Sequence, residues 1–456
     1  MNFITAFKES KYYTLDTLLN VLVVLNLLFL VKVAYYVSFL HHLPPPFYYD
    51  PNNTFFDFFE INRMSFTAHL FADFQPNYLP LVFGLGQLLS PQHCDLANPY
   101  NFRACALPSI LWMVGFYVMA AFFLGRFLRT THHIQNNICQ VLKVDFIVLT
   151  SPMLLFALER GNYIILTLLL LVVYEFSKPM WARALLAILL INLKIYMAIL
   201  LLPMLLKGHY KKVAFILLAV VVSTIATSHL LDYGFHWTHF IYTLFHFEAP
   251  IHIGGRAPIG FLTERLWTNV SMENLLKITN PESVVTACSY VGAIPCQILK
   301  GLSVLRLDLF WKVGVAIVIA ITVVMMSLLY KKRLVSKIVT EEMMLFYLIL
   351  SLMMFVSHIG AYVLILLVPY LFLLPRYNLG VIVSFLILFT TLADIPFYPS
   401  SSKAYFSFID QINFTATYTI QLSSYLRPLA LTYLFYFYSK FIIEAFLKAH
   451  RKIKLL

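Results

Sequence analysis

The sequence predicts an all-α polytopic membrane protein that forms a single domain over residues 1–456. Of its 456 residues, 61% are hydrophobic and only 12% are charged, whereas soluble domains are about 45–50% apolar and about 25% charged. A spanning helix needs roughly 20 apolar residues, so this chain has material for about 10–12 transmembrane helices. No stretch is both polar enough and long enough for a separate soluble domain.

The apolar runs that predict these helices are distributed along the whole chain. The first is longer than the apolar core of a cleavable signal, and no small-residue cleavage site follows it, so we expect a membrane anchor. Several later runs are shorter than a full span and meet at polar breaks, which indicates bent or paired helices. In order, the runs lie near residues 17–40, 106–128, 145–158, 162–177, 184–193, 195–206, 213–231, 309–330, 343–357, 359–374, 379–395 and 427–447.

The net charge of +12 is explained by short basic loops rather than by a nucleic-acid partner. When Lys8 and Lys11 are placed in the cytoplasm, strict alternation of the spans puts nearly every short basic loop there too, as the positive-inside rule requires. Three long loops, near residues 41–105, 232–308 and 396–426, then lie on the outer side. We therefore expect any outer-face chemistry to involve these loops.

The first outer loop carries two segments that are typical of interfacial helices. The stretch Phe55–Arg63 is amphipathic, and Tyr78–Ser90 is an apolar hook. We expect both to lie along the membrane surface.

The five cysteines divide according to this topology. Cys94 and Cys105 share the first outer loop, Cys288 and Cys296 share the second, and Cys139 lies alone on the cytoplasmic side. Even pairs on an oxidising side predict two disulfides. The alternative is four unpaired cysteines.

Ionisable and polar residues gather at the outer ends of the predicted helices, where such groups are costly and usually functional. A carboxylate among cations there suits a reaction on an anionic lipid-linked substrate. The cations would hold a phosphate and the carboxylate would deprotonate an acceptor hydroxyl. The candidates are Asp57, Glu159, Arg160, Asn162, Lys194 and His358.

Each candidate also has a purely structural interpretation. Asp57 and its neighbour Glu60 suit the polar face of an interfacial helix, and Arg160 and Asn162 suit a tight turn. The Lys194 side chain could extend to the interface without binding a ligand. The histidines of the second outer loop have no metal-ligand spacing, so we expect no metal.

Five short motifs at these positions follow one another in a characteristic order. They are Asp57-Phe58-Phe59-Glu60-Ile61, Tyr78-Leu79-Pro80-Leu81, Arg160-Gly161-Asn162, Lys194 with the later Leu201-Leu202-Pro203, and Ser357-His358 through Tyr362 to Pro369. In this order the chain resembles the GT-C-type integral-membrane glycosyltransferases of family 87, which use polyprenyl-phosphate mannose. It departs from them in lacking a proline soon after Lys194 and in placing His358 about one helical turn early.

The resemblance implies a GT-C-like bundle in which outer-face interfacial helices cover a cavity, with Asp57 as the general base of an inverting transfer. It implies a polyprenyl-phosphate-linked sugar as donor, a glycolipid or envelope glycan as acceptor, membrane lipid as surroundings, and no cofactor, metal or nucleic acid. The expected location is a bacterial inner membrane with the site facing the periplasm; the alternative is the endoplasmic reticulum. The implied phosphate-binding residues are Arg160, Lys194, His358 and Arg256, and the implied substrate contacts are Glu60, Asn162, Tyr78 and Tyr362.

Two other functions fit the composition. A flippase or transporter of lipid-linked saccharides would predict internal repeats and charges near the bilayer midplane, whereas this chain has no repeat and its charges favour one face. A polymerase or ligase of lipid-linked glycans shares the substrate class and stays open.

Overall fold

A computed structural model describes residues 15–40, 43–44, 47, 54–73, 78–91, 94, 102, 104–131, 137–238, 240–241, 307–331, 341–355, 361–371, 379–406 and 413–454. Apart from one β-hairpin, these residues form helices joined by short connections. The α-helices are α1 Leu15–Tyr35, α2 Phe56–Met64, α3 Leu70–Asp73, α4 Pro80–Leu89, α5 Ile110–Thr131, α6 Ile138–Leu149, α7 Pro152–Arg160, α8 Ile164–Phe176, α9 Met180–Leu193, α10 Leu201–Leu206, α11 Tyr210–Leu230, α12 Leu307–Lys331, α13 Glu341–Phe355, α14 Val368–Leu371, α15 Leu379–Phe389 and α16 Ser423–Lys454.

The chain is an α-helical membrane protein. Within the described ranges, five helical segments are long and apolar enough to cross a bilayer, and seven shorter apolar helices accompany them. As expected from the sequence, several of the predicted runs are shorter than a full span, among them the helices Ile164–Phe176, Met180–Leu193 and Ile195–Leu206. The five long segments are Asp16–Leu40, Leu107–Thr131, Ile138–Arg160, Tyr210–Leu230 and Leu426–Lys448.

The helical segment that contains the predicted run 145–158 spans Ile138–Arg160, so it begins seven residues earlier than predicted. The polar residues at its start are compatible with a helix since the Lys143 ammonium lies 2.9 Å from the Asp16 carboxylate on α1. The segment bends at Ser151, which precedes Pro152, the first residue of α7. Proline is favoured at this position because its missing N–H would have no partner inside the helix.

Two ion pairs show how the first three long segments run relative to one another. Lys143 in the middle of α6 pairs with Asp16 at the start of α1. Two residues later, Asp145 pairs with Arg129 at the end of α5. The basic residues Arg129 and Lys143 therefore lie at one end of the bundle. Arg160 lies toward the other end of the segment Ile138–Arg160, about 26 Å from Lys143 along the helical rise.

Buried polar side chains link the helices between these two ends. The Asn26 amide of α1 donates to the Ile147 carbonyl at 3.2 Å and to the Thr150 hydroxyl at 3.0 Å. The Tyr347 hydroxyl joins three further helices, since it bonds to Thr322 at 2.8 Å and to Ser439 at 3.0 Å. Such interhelical hydrogen bonds satisfy polar groups that have no access to water.

The two predicted interfacial segments of the first outer loop are helical, as α2 and α4. They pack against each other, and α4 also packs against α9 and α11. The contact is close at Gly86, where a Cβ atom would lie 2.9 Å from the Asn62 Oδ1 atom. This packing ties the first outer loop to the ends of the spanning helices.

A disulfide joins Cys94 to Cys105, with 5.7 Å between their Cα atoms, as predicted. Cys139 is a free, exposed thiol. The predicted partners Cys288 and Cys296 lie outside the described residues.

The third outer loop contains a structure that the sequence analysis did not predict. Strands β1 Pro396–Phe406 and β2 Asn413–Gln421 pair as an antiparallel hairpin, which is closed at its base by the Leu422 N–H bond to the Ile395 carbonyl at 2.9 Å. The period-two alternation of polar and apolar residues in β2 is the pattern of a strand.

Candidate functional site

The site is built around the turn that ends helix α7. The Gly161 N–H bonds to the Leu158 carbonyl at 2.8 Å and the Asn162 N–H bonds to the Ala157 carbonyl at 3.0 Å. This is the Schellman pattern, which needs a residue with positive φ after the helix. Gly161 supplies it, with φ of 63°.

Helix α2 lies directly against this turn. A Cβ atom on Gly161 would be 2.7 Å from the Phe58 Cβ atom and 3.1 Å from the Phe55 Cα atom. The Phe55 N–H also bonds to the Glu159 carbonyl. Gly161 is therefore required twice, for its backbone conformation and for the close approach of α2.

This approach brings the Asp57 carboxylate onto the turn. One of its oxygens pairs with the Arg160 guanidinium, and the other accepts a hydrogen bond from the Asn162 amide at 2.7 Å. The Asn162 Oδ1 atom accepts the Ile164 N–H at 3.0 Å, so the amide nitrogen is directed at Asp57. Both oxygens of the carboxylate are thus held by residues about 100 positions later in the chain.

Arg160 is the more enclosed member of this ion pair. Its side chain is 8% exposed and that of Asp57 is 18% exposed. The guanidinium carbon also lies 5.6 Å from the centroid of the Phe56 ring. Arg160 is therefore in contact with both Asp57 and Phe56, and the carboxylate is the more accessible member of the pair.

Lys194 brings a second cation to the site. It ends helix α9 in an extended conformation and precedes the 3-10 helix Ile195–Leu200. Its ammonium donates to the Tyr78 hydroxyl at 2.8 Å and lies 4.1 Å from the centroid of that ring. Burial lowers the pKa of Lys194 to about 7, and the Asp57 carboxylate opposes this shift, so the two groups are electrostatically coupled.

The structure thus assembles five of the predicted residues: Asp57, Tyr78, Arg160, Asn162 and Lys194. They come from the first outer loop, from the turn after α7 and from the end of α9. The result is a carboxyl group with a fixed orientation that shares a site with the half-buried Lys194 side chain. Such a pair can accept a proton from a hydroxyl and bind an anion at the same site.

Of the other residues predicted to bind substrate or phosphate, only Glu60 has its side chain in the described part of the chain. Glu60 pairs with Arg63 on the same helix, at 2.6 Å, which fits the polar face of an interfacial helix, and its role in substrate binding stays a prediction. Tyr362 lies in the 3-10 helix Ala361–Leu367, with its side chain outside the described part. Arg256 and His358 also lie outside it.

Sequence reasoning missed a buried ion pair at the base of the hairpin. The Arg427 guanidinium lies 2.8 Å from the Asp394 carboxylate, and their side chains are 1% and 0% exposed. Lys32 of α1 donates to the Asp394 carbonyl at 3.1 Å. The available signal was a pair of opposite charges, one on each side of the third outer loop.

In the portion of the chain with described coordinates, no three His, Cys, Asp or Glu residues are grouped so that they could hold a metal ion. The residues of the site are a carboxylate, an amide, a phenol and two cations, which is a set suited to anions and hydroxyl groups.

Comparison with known proteins yields no relatives: no protein-family model, curated protein or solved structure matches the chain.

Proposed function

We propose that the protein is a GT-C-type glycosyltransferase that moves a sugar from a polyprenyl-phosphate-sugar donor to a lipid-linked or envelope glycan acceptor. One observation carries the proposal. Asp57, the carboxylate expected to act as base, is held by Arg160 and Asn162 next to the ammonium of Lys194. Mannose or another hexose or pentose fits this chemistry equally well.

In the proposed reaction Asp57 is the general base. The acceptor oxygen attacks the anomeric carbon and loses its proton to the Asp57 carboxylate. The bond between that carbon and the phosphate oxygen breaks, and the lipid phosphate leaves with the electron pair. Attack opposite the leaving group inverts the anomeric configuration. A lipid phosphate leaves readily, so the reaction requires no metal.

The contacts support different roles for the two cations. Arg160 is nearly enclosed and is paired with Asp57, so we assign it to positioning the base rather than to holding the donor phosphate. Lys194 is half-buried, and its hydrogen bond to Tyr78 uses one of its three N–H donors. We assign the donor phosphate to Lys194.

The place of the site in the bundle supports an outer-face reaction. Arg160 lies at the end opposite to Arg129 and Lys143, and basic residues favour the cytoplasmic side. A donor embedded in the membrane would then reach the site laterally, in a bacterial inner membrane from its periplasmic leaflet.

The experiment is an in vitro transfer assay with a panel of polyprenyl-phosphate sugars. Asp57→Asn keeps the shape of the side chain and can accept one of its two hydrogen bonds, but it cannot take up the proton. Transfer should therefore fall by about 10²–10⁴-fold, the usual contribution of general acid–base catalysis. Glu60→Gln is the matched control, because Glu60 lies one turn away on the same helix and pairs with Arg63.

Near-normal transfer by Asp57→Asn protein would refute the assignment of the base. Absence of transfer by the wild-type protein with every donor, together with movement of lipid-linked saccharide across vesicle membranes, would favour the transporter instead.

A further inference from the structure

A second polar cluster lies where the first span meets the base of the hairpin. It consists of Lys32, Asp394 and Arg427, and we call it the Lys32 cluster. Arg427 and Asp394 form an ion pair that is fully buried. The Lys32 ammonium bonds at 3.1 Å to the main-chain carbonyl of Asp394. The buried pair therefore fixes the position of the carbonyl that holds Lys32.

The Lys32 cluster carries one positive charge in excess. Arg427 and Asp394 neutralise each other, whereas Lys32 donates to a neutral carbonyl. An ammonium has three N–H donors, and the Asp394 carbonyl is the one hydrogen-bond acceptor that Lys32 contacts among the residues with described positions. Two donors of a fixed cation are thus available to a ligand.

The surface around Lys32 is apolar. Leu28, Val31 and Tyr35 on the same helix are all exposed, Val31 to 67%, and Leu392 and Ile395 are exposed on either side of Asp394. On a helix that crosses a bilayer, such side chains face lipid. A ligand of Lys32 would therefore lie against hydrocarbon.

The depth of Lys32 corresponds to the polar edge of the membrane. Lys32 follows Asp16 by 16 positions on one continuous helix, which is about 24 Å along its axis. The hydrocarbon core is about 30 Å thick. With Asp16 and its partner Lys143 at one interface, the Lys32 ammonium lies close to the headgroups of the other leaflet.

An aromatic stack places the Lys32 cluster at the level of the candidate site. Phe29, one turn before Lys32, stacks on Phe47 with 5.8 Å between ring centroids. Phe47 contacts Phe156 at 6.1 Å, and Phe156 lies one turn before Arg160 on α7. The Lys32 cluster therefore lies near one end of this aromatic stack, and the ion pair of Arg160 lies near the other end.

From these observations we infer that the Lys32 cluster binds the phosphate group of a membrane lipid, whose chains lie along the apolar surface of α1. A fixed, uncompensated cation at headgroup depth matches a lipid phosphate in charge and in position. The apolar surroundings exclude a soluble anion as the preferred ligand. A lysine that merely extends into the interface would need neither the carbonyl of Asp394 nor the buried ion pair behind it.

Lipid binding by the purified full-length protein tests this inference, measured by native mass spectrometry in detergent. The probes are a polyprenyl monophosphate, phosphatidylglycerol and inorganic phosphate. At the Lys32 cluster, wild-type protein should retain one molecule of a lipid probe, in addition to any polyprenyl monophosphate held at Lys194. Lys32→Gln should weaken retention of that one molecule about tenfold or more, as expected when a hydrogen bond to a charged group is lost. The preferred lipid probe identifies the source of the phosphate.

The control is Lys440→Gln, which removes an exposed lysine from the last span and should leave retention unchanged. Lys32→Arg keeps the charge and should retain the lipid, which separates loss of binding from loss of folding. Equal retention by the Lys32→Gln and wild-type proteins would overturn the inference, and so would binding of inorganic phosphate as tight as that of the lipids. No arm of this experiment depends on glycosyl transfer.

Discussion

Replacement of Gly161 by alanine should destabilise the protein more than the same replacement at Gly208 or Gly115. The first contribution is backbone strain. Gly161 has φ of 63°, and a residue with a Cβ atom pays about 1–2 kcal/mol in that left-handed conformation. This contribution alone would lower stability without moving Asp57.

The second contribution is a steric clash with α2. Carbon atoms in contact prefer separations of about 3.5–4.0 Å, and the new methyl group would begin 2.7 Å from the Phe58 Cβ atom. Phe58 is fully buried, and its Cβ is bonded to the helix backbone, so the whole of α2 must retreat by about 1 Å. Overpacking of this kind costs about 1–3 kcal/mol, which together with the strain gives roughly 2–5 kcal/mol.

Two other glycines separate these contributions. Gly208 also has a positive φ, of 79°, but its Cβ would meet nothing closer than a Tyr210 ring carbon at 4.0 Å, and Gly115 would meet nothing within 4 Å. Gly208→Ala should therefore cost only the strain of about 1–2 kcal/mol. Gly115→Ala lies inside α5 and should stabilise slightly, by about 0.5–1 kcal/mol.

The measurement is denaturant unfolding of the three purified variants in detergent, followed by the transfer assay. A retreat of α2 by about 1 Å would also misplace Asp57, and displacements of that size reduce rates about 10²-fold. If Gly161→Ala proves no less stable than Gly208→Ala, the close approach of α2 to the turn is wrong, and the site described here is wrong with it.

Three further predictions follow from individual contacts. Arg160→Gln should lower kcat about 10²-fold at nearly unchanged donor KM, because it misplaces the base. Lys194→Gln should instead raise donor KM about 10–100-fold, because it removes a contact with the donor phosphate. If Arg160→Gln changes KM and Lys194→Gln changes kcat, the two roles in the proposed reaction must be exchanged. Arg427→Met should reduce the free energy of unfolding by about 3–5 kcal/mol because it leaves a buried charge unpaired, and adding Asp394→Leu should recover most of the loss. Cys105→Ser should cost about 2–4 kcal/mol by opening a loop closed across 11 residues, and a melting temperature equal to that of the wild type would exclude a structural role for the disulfide.

The residues of the candidate site were accessible from the sequence because membrane topology restricts where helix ends lie. Apolar runs and basic loops are enough to place Asp57, Arg160 and Lys194 at the same face of the bundle. These sequence patterns do not determine whether Arg160 or Lys194 pairs with the Asp57 carboxylate. That choice depends on how closely α2 approaches Gly161, and this distance is a property of packing in three dimensions.

The features that the sequence analysis missed are long-range for the same reason. Arg427 and Asp394 are 33 positions apart and share no local pattern, so only the folded chain shows that each neutralises the other. The early start of α6 was not predicted because a lysine such as Lys143 is typical of a loop. Its place in a helix is explained only by its ion pair with Asp16. Hairpin strands β1 and β2 were absorbed into a loop because short alternating segments carry a weak signal beside long apolar runs.

Because Asp57 precedes Arg160 in the chain, Asp57 is synthesised well before the partner with which it forms an ion pair. The two residues are 103 positions apart, and ribosomes add about 5–20 residues per second, so the aspartate leaves the ribosome about 5–20 s before its arginine. Throughout this interval α2 has neither its turn to pack on nor its counter-charge, and the Phe58 face that is later buried stays uncovered. A nascent chain arrested before Arg160 would display that face beside an unpaired carboxylate, which distinguishes unfinished chains from mature ones at the membrane surface.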